Sequence, residues 1–320
     1  MRALVTGSSG FIGGHIVGVL AAAGVDVRAF DRQPPSRGEL PDGAEFVAGD
    51  ILDRDAVRRA LDGCEAVFHL AAVYSFARAD AQRMQTVNVE GTRTLLEAAV
   101  NGKRRRVVHT SSCATCGPVR GRAADERDLP PAAQLCVPYK RTKLEGERLA
   151  LRAASEGNEV VVVNPTVPVG PGDLRPTPTG KMVADVATGR ARAYLASSAL
   201  NIVAVQDVAS GHLLAFEHGR SGERYLLGGE DLTIREVFAI VAQTAGRSAP
   251  RIGVPWSAAY AAAWAADAAL RRVGREPKML MIDEVRAGRV PHRFDDSKAR
   301  TELGYSSRPA VEALTAAVTG

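Results

Sequence analysis

A phenol and an ammonium stand four residues apart at Tyr139 and Lys143, directly after Pro138, in the stretch P-Y-K-R-T-K. On a helix, positions i and i+4 share one face. A free tyrosine has a pKa near ~10 and is a poor base at neutral pH. An ammonium about 4 Å away, at an effective dielectric of about 20, favours the phenolate by roughly 4 kcal/mol before desolvation is subtracted. The pair is therefore expected to act as a general base of lowered proton affinity, able to take the proton of an alcohol. Ser112 lies 27 residues before Tyr139, in T-S-S-C-A-T-C-G at 110–117. At the end of an apolar run, its hydroxyl can bond a substrate oxygen and share a proton with the phenolate. Ser111 is an adjacent hydroxyl for the same role.

A second constellation opens the chain. T-G-S-S-G-F-I-G at 6–13 places Gly7, Gly10 and Gly13 between an apolar run and a helical one. Glycine lets a backbone turn tightly against a pyrophosphate, and the following helix start offers free N–H groups and a positive dipole end. The contacts expected of such a loop fall on Gly7, Ser9, Gly10, Phe11, Ile12 and Gly13. The next β-rich run closes on Asp31, 18 residues after Gly13. A carboxylate there accepts both hydroxyl protons of an adenosine ribose and repels a 2′-phosphate, which favours NAD over NADP. Arg32 and Arg37 pull the other way, so NADP stays open. Asp50 and Ile51 close the third run, where a side chain meets the adenine edge; for Asp50 a capping role is the alternative.

The elements that must position these groups alternate along the first 165 residues. Strands are expected at Ala3–Thr6, Val25–Phe30, Glu45–Ala48, Ala66–Leu70, Arg106–Ser111 and Glu159–Asn164. Helices are expected at Phe11–Ala23, Asp53–Leu61, Gln82–Val100 and Tyr139–Ser155. Strand–helix alternation with apolar strands reads as an α/β fold, a doubly wound parallel (Rossmann) sheet that binds ligands at the carboxyl ends of its strands. Five prolines between Pro165 and Pro178 then break the pattern. Residues 1–165 are expected to form the dinucleotide-binding domain, with part of 201–220 returning to it. Residues 166–320 would make a smaller mixed α/β substrate lobe.

Composition narrows the classes. The 320 residues are 46% apolar and 24% charged, enough for a large core, and the net charge is only +5. No basic face interleaves with aromatics, which speaks against a nucleic-acid partner. Lys103-Arg104-Arg105-Arg106 and Arg271-Arg272 read as solvated faces. Four cysteines make no disulfide framework. Cys113 and Cys116 have C-x-x-C spacing without a second pair, and the histidines form no H-x-x-x-H, so no metal is expected and the two cysteines read as small apolar residues lining the site. The Ala-rich run Trp256 to Leu270 reads as a packed helix, too short and interrupted to span a bilayer. No targeting segment opens the sequence, so a cytoplasmic location is expected.

Taken together, Ser112, Tyr139, Lys143 and the glycine loop resemble the extended short-chain dehydrogenase/reductase family, over essentially the whole chain. H-L-A-A at 69–72 is similar to its fourth-strand motif and N-V-E-G-T at 88–92 to its helix motif. D-V-A at 207–209 and D-D-S-K-A-R-T-E-L-G-Y at 295–305 are similar to its C-terminal signatures. N-P-T-V-P-V-G-P-G-D (164–173), P-T-P-T-G (176–180) and L-G-G-E-D-L-T (227–233) resemble the hopanoid-associated sugar epimerase group, and dihydroflavonol-reductase-like members are similar too.

The resemblance implies that Ser112, Tyr139 and Lys143 are catalytic. It implies that Leu70, Ala71 and Ala72 lie beside the cofactor, as do Tyr139 and Lys143, that Pro165 packs near the nicotinamide, and that Asn88 is structural or relays protons. His69 reads as a packed residue. The residues following Ser112 carry no acid, which speaks against dehydration or decarboxylation. An NAD-dependent sugar or nucleotide-sugar epimerase is the main expectation, with a carbonyl reductase or alcohol dehydrogenase as the alternative and a non-catalytic NAD-binding regulator as a remote one. Leu200 stands where sugar-nucleotide epimerases carry an arginine, so the substrate class spans sugar, nucleotide sugar and hydroxy-ketone. By analogy the helices 82–100 and 139–155 would pair two subunits as a homodimer.

Overall fold

The computed structural model describes residues 1–35, 40–100, 105–272 and 281–320. Seven parallel strands form the main sheet: β1 (Arg2–Thr6), β2 (Asp26–Asp31), β3 (Ala44–Ala48), β4 (Ala66–His69), β5 (Arg106–Thr110), β6 (Val160–Pro165) and β10 (Arg224–Leu227). Their order is β10-β6-β5-β4-β1-β2-β3. The chain reverses direction across the sheet at β1 and β4, and that switch point opens a crevice at the carboxyl ends of the strands.

Alternation within each strand feeds two cores. Ala3, Val5, Val161 and Val163 face α1 (Phe11–Ala22) and α7 (Val205–His218). Leu4, Val160 and Val162 face the other way, toward α2 (Arg54–Leu61) and α5 (Pro138–Ser155). A strand buried on both sides is apolar along most of its length, which is why V-V-V-V reads as strand.

The helix starts have local causes. Asp53 caps α2 and is not part of it, its carboxylate accepting the N–H groups of Asp55 and Ala56 at 2.9 and 3.1 Å. Pro138 opens α5, a position where the missing N–H costs nothing.

The helix expected over 82–100 is not uniform. It runs as α3 (Ala81–Met84), a π-helical stretch Gln85–Gly91 and α4 (Thr92–Val100). Periodicity did not reveal the wide turn, which holds Asn88 against α5. The basic cluster also needs correction. Arg105 is buried, and its guanidinium donates to the carbonyls of Cys64, Ala99 and Leu61 at 3.0–3.1 Å, closing the ends of α2 and α4. Arg106 is half-buried and pairs with Glu159. Lys103, Arg104 and Arg37 lie outside the described residues.

The rest of the chain forms a lobe over the crevice and returns to the main sheet. A three-stranded sheet of order β11-β9-β7 joins β7 (Val167–Val169), β9 (Ala199–Ala204) and β11 (Glu230–Thr233). A two-stranded one joins β8 (Ala193–Leu195) and β12 (Ile252–Val254). Helices α6 (Pro178–Ala187), α8 (Ile234–Thr244) and α12 (Ala310–Thr319) pack into the lobe core. Helices α9 (Trp256–Arg271) and α10 (Ile282–Ala287) form a small cluster beside it. In contrast α7, β10 and α11 (Ser297–Leu303) belong to the main sheet's core, through Val208, Leu227 and Leu303.

Candidate active site

Two cavities meet at the glycine loop. One, about 550 Å³, is lined by Gly7, Ser9, Gly10, Phe11, Asp31, Arg32, Asp50, Ile51, Leu70, Ala71 and Ala72. The other, about 800 Å³, is lined by Gly7, Gly10, Phe11, Ile12, Gly13, Leu70 and Ala72, and by Ser111, Ser112, Tyr139, Lys143 and Pro165. Gly7, Gly10, Phe11, Leu70 and Ala72 thus face both.

The loop has room for backbone only. Gly7 has φ +71°, and a Cβ there would lie 2.7 Å from the Ala71 nitrogen. A Cβ on Gly13 would lie 2.1 Å from the Gly7 carbonyl oxygen. The start of α1 carries no side-chain cap, so its first N–H groups point at the loop. Asp31 Oδ2 accepts the Ser9 N–H at 3.1 Å, which pins the ribose-side carboxylate to the phosphate-side loop. This cradle, with a carboxylate at one end and hydroxyls at the other, fits a dinucleotide.

Asn88, expected to be structural or a proton relay and counted with the residues around the cofactor, lines neither cavity. Its amide is consumed by Val73 N–H and C=O at 2.7 and 3.0 Å and by the Thr142 hydroxyl at 3.1 Å. It ties the loop after β4 to α5. Gly146 permits that approach, because a Cβ there would come within 2.8 Å of the Asn88 carbonyl oxygen.

The Ser–Tyr–Lys set is assembled from β5 and α5. Ser112 follows β5 in extended backbone and caps a short turn, its Oγ accepting the Ala114 N–H at 3.2 Å. The Ser112 hydroxyl lies in the same cavity as the Tyr139 phenol and favours its ionised form. Lys143 Nζ donates to the Thr110 carbonyl at 2.8 Å.

The expected lowering of the phenol's proton affinity does not appear. Burial pushes Tyr139 up to about 12, with Ser112 the only group opposing it. Burial also pulls Lys143 down to about 8, offset by the charge of Glu147. Lys143 spends its ammonium on the Thr110 carbonyl, and desolvation of the phenol dominates its shift.

The neighbours are second-line supports. His69 bonds the Thr6 and Thr92 hydroxyls at 2.8 and 3.0 Å, and burial pulls it down to about 3, so it is a neutral packed residue. Cys113 lines the larger cavity with its thiol pushed up to about 12. Cys116 sits behind it in a small apolar cluster, away from the cavity wall.

Sequence reasoning missed the residues that complete the larger cavity. Tyr74 packs against Tyr139, ring centroids 4.3 Å apart and planes tilted by 36°. Lys140, Glu284 and His292 line the same space, and the remaining wall is largely apolar: Phe76, Met182, Tyr194, Leu195, Phe238, Ala259 and Val285 join Leu200, which the sequence itself singles out. Their positions span more than 200 residues, so no local pattern could join them.

Comparisons with known proteins identify the family. Residues 3–228 match the model of the NAD dependent epimerase/dehydratase family. The chain is 37% identical to a Synechocystis protein named "Putative dihydroflavonol 4-reductase", over 98% of this chain and 92% of that one. It is 36% identical to sterol demethylase protein B of Methylococcus capsulatus, over 95% and 93%. The solved structure of MoeE5 in complex with UDP-glucose and NAD superposes with a TM-score of 0.76 at 26% identity, covering 99% of this chain and 97% of that one.

Proposed function

Because this chain belongs to the NAD-dependent epimerase/dehydratase family, we propose that it carries out reversible hydride transfer at a secondary alcohol or ketone carbon, with Tyr139 as general base, Ser112 as hydrogen-bond partner of the reacting oxygen and Lys143 as the charged support. The observation that carries this reading is the single cavity of about 800 Å³ in which the three side chains meet the glycine loop.

NAD, held by the glycine loop, Asp31 and the β4 loop, supplies the hydride acceptor and a positively charged ring. The chain does the rest. The Ser112 hydroxyl orients the carbinol oxygen, and Tyr139 takes its proton as the C–H bond breaks. The raised proton affinity keeps the phenol protonated, the form that gives its proton in the reducing direction, while the positive charges of Lys143 and of the NAD ring would favour the phenolate that oxidation needs. Lys143, fixed on Thr110, holds positive charge beneath the pair.

The apolar wall selects a substrate with large apolar substituents around the carbinol, since an apolar wall gives a sugar's hydroxyls no partners. This favours an alcohol dehydrogenase or carbonyl reductase. A sugar or nucleotide-sugar epimerase is the second reading, supported by the likeness to MoeE5, while Leu200 in the cavity wall leaves a pyrophosphate without a cation at that place. The nicotinamide absorbance separates them. A dehydrogenase converts NAD stoichiometrically with a polycyclic secondary alcohol, whereas an epimerase interconverts sugar epimers with no net change. Under either reading Tyr139→Phe drops turnover by about 10²–10⁴-fold with NAD affinity unchanged. Wild-type turnover in that variant refutes the assignment. By family analogy the helical segments 82–100 and 139–155 pair two subunits, which light scattering of the pure protein tests, and the enzyme works in the cytoplasm, which fractionation of its cells tests.

A further inference from the structure

Burying an ammonium is costly unless an anion accompanies it. Lys140 is 3% exposed and lies next to Tyr139, yet among the described residues it has no carboxylate partner. Its Nζ donates to the Gln134 side-chain oxygen, leaving two further N–H groups unassigned. Burial pulls it down to about 8, and the ionisable groups set against it are only the thiols of Cys113 and Cys136. Lys143 makes the contrast, having both the Thr110 carbonyl and the charge of Glu147.

Lys140, Cys113 and His292 line the cavity that holds Ser112 and Tyr139. The charge of Lys140 bears on the His292 ring, whose Nδ1 has no hydrogen-bond partner. Glu284 stands elsewhere on the wall, where its charge reaches Tyr74 and meets Lys181.

We propose that Lys140, with His292 beside it, forms a second polar subsite that takes a carboxylate carried by an otherwise apolar substrate, close to the carbon that reacts. The inference rests on this cavity being the substrate site. The missing counter-ion of Lys140 is then part of the ligand, and the free enzyme holds an unsatisfied charge that only the right substrate neutralises. An apolar hydroxy acid is accepted and the matching neutral alcohol is discriminated against.

The test is binding, not turnover. The full chain saturated with NAD is titrated calorimetrically with adamantane-1-carboxylate and adamantane-1-methanol, two cages that differ in the charged group. The carboxylate should bind wild type about tenfold or more tightly than the alcohol. Lys140→Met should reduce that preference to about twofold or less, and Lys140→Arg should keep most of it. Above pH 8, binding of the acid should take up protons, because the anion raises the affinity of Lys140 for its own, and this appears as a dependence of the heat on buffer ionisation. No carboxylate preference in wild type, including no binding of the acid, overturns the subsite. So does a preference untouched by Lys140→Met, or, should that variant fold poorly, the absence of proton uptake in wild type. Any of these leaves hydride transfer by Tyr139 standing, while Lys140-dependent binding without turnover on any alcohol would leave the subsite and remove the catalytic reading.

Discussion

Two glycines in one helix should respond oppositely to the same substitution. Gly13 and Gly18 both lie in α1, five residues apart. An added Cβ at Gly13 would sit 2.1 Å from the Gly7 oxygen and 2.9 Å from Ser8 Cα. Ordinary contact begins at 3.4 Å, so the loop must retreat by about 1.3 Å (3.4 less 2.1). Neither partner is the end of a flexible side chain, and the motion moves the backbone that approaches the pyrophosphate. Overpacking of this kind costs about 1–3 kcal/mol. At Gly18 nothing lies within 4 Å, and alanine in a helix interior is better than glycine by about 0.5–1 kcal/mol. Gly13→Ala is therefore expected to lower unfolding free energy and to weaken NAD by about tenfold or more, while Gly18→Ala gains stability and leaves NAD binding unchanged. Urea unfolding and calorimetric titration of NAD on both variants measure the two effects. Wild-type NAD affinity in Gly13→Ala would refute the claim that this loop is packed to the backbone for a dinucleotide.

Two further variants test the scaffold behind the site. Glu147 is 1% exposed and accepts Arg224 at 2.9 Å, Asn164 at 2.7 Å and Thr115 at 2.6 Å. Glu147→Gln leaves Arg224 charged and half-paired, and should cost about 3–5 kcal/mol in urea unfolding; it also removes the charge that holds up Lys143, so titration of that ammonium should move lower. A loss under ~1 kcal/mol would show that the pair is not the link between α5 and β10. Asn88→Ala strands the Val73 N–H and C=O and should cost about 1–3 kcal/mol, with faster amide exchange over the loop after β4 and weaker NAD binding. Unchanged exchange at Val73 would contradict the tie.

Some of this molecule is written locally. V-V-V-V at 160–163, short and β-branched, reads as a strand covered on both faces, and glycines at 7, 10 and 13 between an apolar run and a helical one read as a close-approach turn. Tyr139 and Lys143 share a helix face because four residues are about one turn, and Pro138 marks where that helix begins. These readings needed no partner from elsewhere in the chain, since backbone geometry repeats over a few residues.

Tertiary structure decided what depends on burial and on distant segments. The π turn around Asn88 follows from its contact with α5, and apolar spacing reads through it unchanged. Arg105 belongs to an apparently solvated basic run, and only packing shows that it closes two helix ends. The phenol of Tyr139 carries a lysine at the right spacing, but its proton affinity moves upward because desolvation is set by the whole fold around it. Lys140 and His292, 152 residues apart, meet in one cavity whose wall comes from four lobe helices. Spacing along a chain determines which side chains share a face; solvent exclusion and long-range meeting are properties of the folded volume, and they set the chemistry those side chains can do.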